Sequence, residues 1–346
     1  MEELREGLVL GLGNPLLDIS ANVDSEFLEK YGMKPNDAIL AEEKHKPIYD
    51  EMIKKYDVEY TAGGSVQNAL RVAQWVLRKP NVTVFMGSVG NDDYSKILEE
   101  KARSQGVNVR YQYSPVESTG SCAVLVTDNG HNRSLCANLA AANHFTIEHI
   151  HKLENKILME NARYFYISGF FLTVSPPTII EVAKHALEKN ALFMMNLSAP
   201  FISQFFNEPL MRAMPYVDIL FGNDSEAEAF AKQLNFETTD LSEIALKITQ
   251  LPKLNTKRKR IVIITNGNNP VLLAKDGIVN EFPVKQLLET QVVDTNGAGD
   301  AFVGGFLAQL VQGKSLETCI RCGIWTATHV VQRSGCTFDQ TQHFKE

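Results

Sequence analysis

The chain has 346 residues, of which 44% are hydrophobic and 22% charged, a balance that can build a core and excludes a mainly disordered chain. Its net charge of -7 gives no overall electrostatic case for binding nucleic acid or an anionic membrane. No apolar run reaches the ~18 residues of a membrane span, and the acidic start MEELREGLVLGLG lacks a signal-peptide layout, so a cytoplasmic location is expected.

Residues 7–13 (GLVLGLG) read as a short buried strand and residues 16–24 as a second. After Ser65, which serves as a cap, VQNALRVAQWVL places Val66, Leu70, Ala73 and Val76/Leu77 on one helical face. Residues 82–86 form a strand, and a helix follows near 93–105. The stretches 119–127 and 133–137 pair as strands around a turn at Asp128–His131. From about 145 the rhythm is regular: helix 146–160, strand 163–168, helix 176–189, strand 191–196, helix 207–214 and strand 217–221. Helices 223–234 and 241–250, strand 261–265, a hairpin at 270–284 and helices 298–312 and 315–332 complete it.

Short apolar strands alternating with helices predict an α/β fold, a mostly parallel sheet flanked by helices on both faces. The pieces 16–62 and 108–142 break that rhythm and read as a smaller antiparallel sheet, a lid. Residues 1–15, 63–107 and 143–346 then make the large domain.

The five cysteines are an odd set in a long chain, and Cys319-x-x-Cys322 lies in an apolar helix with no second pair at zinc spacing; they read as buried thiols. The basic run Pro252–Arg260 reads as a solvated loop, with a nuclear address or an anionic contact as the alternative.

The strongest chemical signal is Asp294-Thr295-Asn296-Gly297-Ala298-Gly299-Asp300, which opens an apolar helix. Glycines 297 and 299 permit close backbone approach, and the first N–H groups of a helix favour an anion such as phosphate. A carboxylate at 300 repels a phosphate, so its presence asks for a reason: a base beside an incoming hydroxyl, or else a plain first-turn acid. Ala62-Gly63-Gly64-Ser65-Val66-Gln67-Asn68 is a second polar turn into a helix. Gly11-x-Gly13 lacks the third glycine of a dinucleotide fingerprint, Leu16 standing in its place. Asn14 and Asp18 instead suit sugar hydroxyls. Asn223-Asp224-Ser225-Glu226 offers oxygen ligands for hydrated magnesium, and fits a capping box equally well. No Walker A or protein-kinase motif is present.

With DTNGAGD and GG-x-x-x-N in hand, the chain resembles the ribokinase-like, PfkB-type carbohydrate kinases over nearly its whole length. NPLLDIS, NRSL-x-ANLAAAN, SGFFLTVSP, MPYVDILFGN and DTNGAGDAFVGGFLAQLV carry the likeness. GNPLLDIS and SAPFISQFF favour a nucleoside kinase over a sugar kinase. The resemblance implies a ribokinase-like fold and transfer of the γ-phosphate of MgATP to the 5′-hydroxyl of adenosine, giving AMP and ADP in purine salvage. It implies Asp300 as base, Gly297, Ala298 and Gly299 as anion hole, and Arg133 reaching the transferred phosphate from the lid. It places Asn14, Asp18, Gly64, Ser65, Asn68 and Asn296 at the nucleoside's ribose end. Leu16, Leu40, Cys122, Leu135, Ala137, Phe170 and Phe201 would enclose the adenine. Asn196, Asn223, Thr265 and Gly267 would line the ATP site, and Asn223 and Glu226 would order Mg2+, through water. Arg333–Cys336 would close a site for a monovalent cation such as K+. A monomer is expected, without nucleic-acid or membrane partners. A sugar kinase of the same fold and a non-catalytic nucleoside-binding protein are the rival readings.

Overall fold

The computed structural model describes residues 3–128 and 132–345, so residues 129–131 of the expected turn at Asp128–His131 lie outside the described residues. The strands in chain order are β1 (Val9–Leu12), β2 (Leu16–Asn22), β3 (Ala38–Leu40), β4 (Glu59–Gly63), β5 (Thr83–Gly90), β6 (Asn108–Ser114) and β7 (Ser121–Thr127). They continue with β8 (Asn132–Asn138), β9 (Tyr164–Ser168), β10 (Leu192–Asn196), β11 (Ile219–Asn223), β12 (Ile261–Asn266), β13 (Asn269–Lys275) and β14 (Ile278–Phe282).

Nine strands form one sheet in the order β14-β13-β12-β11-β10-β9-β1-β5-β6. Pairing is parallel from β12 through to β6, and at the other edge β13 pairs antiparallel with both β12 and β14. Alternate residues of its inner strands enter two different cores. Leu10, Phe165, Phe193 and Leu220 pack on one face, and Val9, Tyr166, Met194 and Ile219 on the other. Burial on both faces is why these strands read as unbroken apolar runs. Chain order reverses at β1, which sits between β5 and β9. In open α/β sheets that crevice, outside the carboxyl ends of the strands, is where ligands bind. The helix Ala298–Leu310 is apolar all round and buried from Ala301 to Gln309, wedged against the helices Ser65–Leu77 and Leu316–Val330.

The five-stranded small sheet runs β3-β8-β7-β2-β4. It is mixed rather than antiparallel: β2 pairs β7, and β3 pairs β8, in parallel. Long connections between those pairs permit parallel pairing, which a hairpin-based reading overlooks. The expected lid segment 108–142 also needs correction at its start, because β6 is the edge of the large sheet, parallel to β5. The 16–62 piece contains the helices Ser25–Lys30 and Pro47–Lys55 as well as strands. The helix expected over 146–160 is broken at Lys152, whose ψ of 135° is extended, giving Ile147–His151 and Leu153–Asn161.

The five cysteines are free and buried. The basic run is not simply a solvated loop. Lys253 and Arg258 both reach Asp218 Oδ1, at 2.7 and 2.9 Å. Arg260 is 1% exposed, and its guanidinium donates to the carbonyls of Met214, Val217, Ile248, Leu251 and Pro252. No helix among the described residues is long and apolar enough to cross a membrane.

Candidate active site

Two cavities lie at the carboxyl ends of the large sheet's strands, and they meet at Gly299. The first, about 260 Å³, is closed by the small sheet. Register explains the closing face: Asp18 pairs with Cys122, Cys122 with Ala137 and Ala137 with Leu40, one row across β2, β7, β8 and β3. Leu16 and Leu135 lie two residues along, on the same face. Opposite them stand Phe170, after β9, and Phe201, with ring centroids 6.1 Å apart. This end is apolar and slot-like, suited to a flat ring system.

The other end is polar. Gly64 has φ +91° and its Cβ position would fall 2.3 Å from the Asn14 carbonyl oxygen, so only glycine fits this turn. Gly64, not Ser65, is the N-cap of the helix Ser65–Leu77. Ser65 is thereby released from capping, and its Oγ donates to Asp300 Oδ1 at 2.6 Å. Asn68, one turn on, donates its amide to Asp300 Oδ2 at 3.1 Å. Burial raises the Asp300 carboxyl above its ordinary range, and those two bonds and the Arg71 charge oppose the rise. Burial, then the nearby Asp300 and Asp294 carboxylates, push Asp18 up to about 7. Buried acids crowded this way are characteristic of functional sites.

The loop before Asp300 turns at Gly297, with φ +76° and the Cys336 side chain packed where a Cβ would stand. The Ala298 N–H donates to the Thr295 carbonyl at 3.2 Å. Among the described residues no backbone acceptor meets the N–H groups of Gly297, Gly299 or Asp300. These point a helix N-terminus at the junction of the two cavities. Asp294 is 2% exposed and organises this loop, accepting from Asn296 N at 2.7 Å and Gly335 N at 2.8 Å.

Arg133 is not placed as expected. Its Nε donates to Asp294 Oδ1 at 2.5 Å, and its other nitrogens donate to the carbonyls of Asn132 and Val293. It is 8% exposed and lines neither cavity. A buried carboxylate demands a partner, and Arg133 supplies it, tying the lid to the loop.

Asn223 and Glu226 both line the first cavity and form the capping box. Asn223 Oδ1 accepts from Glu226 N at 2.8 Å, and Glu226 Oε2 accepts from Asn223 N at 3.1 Å. Burial raises Glu226 to about 7. Among the described residues no group of three His, Cys, Asp or Glu could hold a metal directly. The donors present suit a hydrated cation carried by phosphates. Asn196 joins them, whereas Thr265, Gly267 and Ala298 line the second cavity, about 470 Å³, with Phe302, Ile324 and Val331.

The profile of the pfkB family carbohydrate kinases matches residues 25–343. The chain belongs to that family. It is 51% identical to adenosine kinase 1 of Arabidopsis thaliana over 339 residues, 98% of each chain. It is similar to the crystal structure of Anopheles gambiae adenosine kinase in complex with P1,P4-di(adenosine-5) tetraphosphate. That match has a TM-score of 0.92 and 58% identity, and covers 96% of this chain and 98% of the other. Adenosine kinase from Schistosoma mansoni in complex with adenosine and AMP matches at a TM-score of 0.92 and 36% identity, over 98% of this chain and all of the other.

The pfkB site also has walls that motif reading missed. Ala38, Ile39, Leu139, Ser168, Thr173 and Ser198 line the first cavity. Ala38 and Ile39 are neighbours of Leu40 on β3, and Ser168 ends β9 one residue before Gly169. A strand-end rule would have found Ser168, and also Thr173 and Ser198 in the turns after β9 and β10; Ala38, Ile39 and Leu139 depend on how the lid closes.

Proposed function

We propose that this pfkB-family chain is an adenosine kinase, transferring the γ-phosphate of ATP to the 5′-hydroxyl of adenosine to give AMP and ADP. The observation that carries the reading is the meeting of two cavities at Gly299, with Asp300 at the junction. One cavity pairs an apolar slot with an acid that suits vicinal hydroxyls; the other is an apolar recess on the far side of a helix N-terminus. The two relatives solved with adenosine-containing ligands support the same assignment.

In this reading adenine lies between Phe170, Phe201 and the lid face, and Asp18 accepts from the ribose hydroxyls. Asn14, Gly64, Ser65, Asn68 and Asn296 frame the sugar. The 5′-hydroxyl then falls beside Asp300, which takes its proton as the phosphoryl group transfers. The N–H groups of Gly297 and Gly299 stabilise charge on that group. Arg133 fixes the loop through Asp294. The lid shuts out water, so hydrolysis does not compete. Thr265 and Gly267 face the nucleotide donor, with Asn196 and Asn223 near its phosphates. Asn223 and Glu226 would hold Mg2+ through water, and the ion would neutralise phosphate charge. A monovalent cation such as K+ would sit by Arg333–Cys336, whose Gly335 N–H already braces Asp294.

The nuclear alternative is weakened, because Lys253, Arg258 and Arg260 of the basic run are bound internally. The test is AMP formation from adenosine and MgATP beside ribose and fructose. Turnover on adenosine alone supports the reading. Turnover on a sugar alone keeps the fold and mechanism and overturns the substrate.

A further inference from the structure

Arg71 lies in the helix Ser65–Leu77, is 1% exposed and lines neither cavity. Its guanidinium makes four bonds. Nε donates to Gln105 Oε1 at 2.6 Å, and one terminal nitrogen to the Ala62 carbonyl at 2.9 Å and Asn68 Oδ1 at 2.9 Å. The other donates to the Cys336 carbonyl at 3.2 Å. Arg260, just as buried, donates only to backbone carbonyls. Arg71 alone of the two spends a bond on a side chain that itself touches the base.

An arginine has no acceptor and a carboxylate has no donor. Between Arg71 and Asp300 the Asn68 amide therefore has one satisfied orientation, oxygen to the guanidinium and nitrogen to the carboxylate. Flipped, it would set oxygen against oxygen and nitrogen against nitrogen.

We infer that Arg71 is a positioning residue for the phosphoryl-transfer base, locking the Asn68 amide so that its N–H faces Asp300. Through Ala62 the lock is tied to β4 of the lid sheet, and through Cys336 to the segment packed on Gly297. The inference rests on Asp300 being the base. Electrostatics agree with it. The groups that interact with Asp300 are Asp18 on β2, Tyr166 on β9, Glu226 after β11 and Cys336, and Asp294 in the loop acts in turn on Asp18 and Cys336. Arg71 is the cation that acts on the Asp300 carboxyl, and it favours the ionised form.

The test is a double-mutant cycle in kcat for AMP formation, with Arg71→Met, Asn68→Ala and the pair. Arg71→Met alone should lower kcat on the order of 10-fold, part of the 10²–10⁴ that a positioned base supplies. In the Asn68→Ala background, at a pH above the acid limb where Asp300 is already ionised, it should cost less than about 2-fold, because no amide remains to orient. The acid limb of the kcat–pH profile should move to higher pH in Arg71→Met, where the charge is gone. Additive losses, or an acid limb that stays in place, overturn the inference. Should Arg71→Met not fold, Arg71→Lys runs the same cycle, since one ammonium cannot serve four acceptors. Additivity there overturns the inference equally, and coupling supports it. A wild-type protein that makes no AMP would instead overturn the proposed activity.

Discussion

The two ends of the first cavity are built on opposite principles. The apolar end, Phe170 and Phe201 against Leu16, Leu40, Cys122, Leu135 and Ala137, consists of side chains that each touch the space separately. The polar end is a chain of dependence, in which Arg71 orients Asn68, Asn68 and Ser65 hold Asp300, and Arg133 and Gly335 hold Asp294. Apolar burial scales with area and degrades gradually. A buried polar network fails in steps, because each lost partner leaves another group unpaired. Substitutions at the first end should therefore trade affinity in small amounts. Those at the second should cost more per side chain, in kcat along the network that holds Asp300 and in adenosine affinity at Asp18.

The largest effect is expected at Asp300. Asp300→Asn should lower kcat for AMP formation by roughly 10²-fold or more, the scale of a positioned base. Steady-state kinetics at saturating adenosine checks this; a kcat within a few-fold of wild type breaks the comparison. Asp18→Asn comes next. Losing charge-assisted bonds to the ribose should raise KM for adenosine by about 10- to 100-fold, with a smaller change in kcat. At the other end, Phe170→Ala should raise KM by only about 3- to 10-fold, the worth of one aromatic contact. Equal losses at Phe170 and Asp18 would erase the distinction.

How the chain reads as sequence follows the same division. Strands buried on both faces, such as β1 and β10, are legible as apolar runs, and so is the helix Ala298–Leu310. The helix Pro47–Lys55 is not, because PIYDEMIKK buries only Ile48 and Met52. β6 alternates like a half-exposed strand, and alternation does not say which sheet it joins. DTNGAGD marked Asp300 because a carboxylate repels the phosphate that its glycine turn would bind, and so asks for a reason. The pairing of Arg133 with Asp294 was not legible because the two are 161 residues apart in the chain. Arg71 was silent for the same kind of reason: one arginine in a helical heptad looks solvated until Cys336 and Gln105 close over it.

The smallest predicted effect is on stability. A carboxyl whose folded pKa is raised to about 7 keeps its proton in the native state after the unfolded chain has lost it, as at Asp18 and Glu226. Their contribution to stability is thus full below about pH 4 and declines as pH rises toward 7. Without nucleoside, Asp18→Asn should melt above wild type at pH 8, by roughly 2 °C or more, and the gap should close toward pH 5. Thermal melts at both pH values check this. A variant less stable than wild type at pH 8 contradicts the burial cost assigned to Asp18.

The most direct measurement follows phosphorus resonances while the wild-type protein meets MgATP with adenosine, and separately with 5′-deoxyadenosine. The account predicts AMP and ADP in equal amounts from adenosine. It predicts no phosphorylated product from 5′-deoxyadenosine, which should still compete for the apolar slot. A phosphorylated product from 5′-deoxyadenosine, or ADP released without AMP, would contradict the placing of the 5′-hydroxyl beside Asp300.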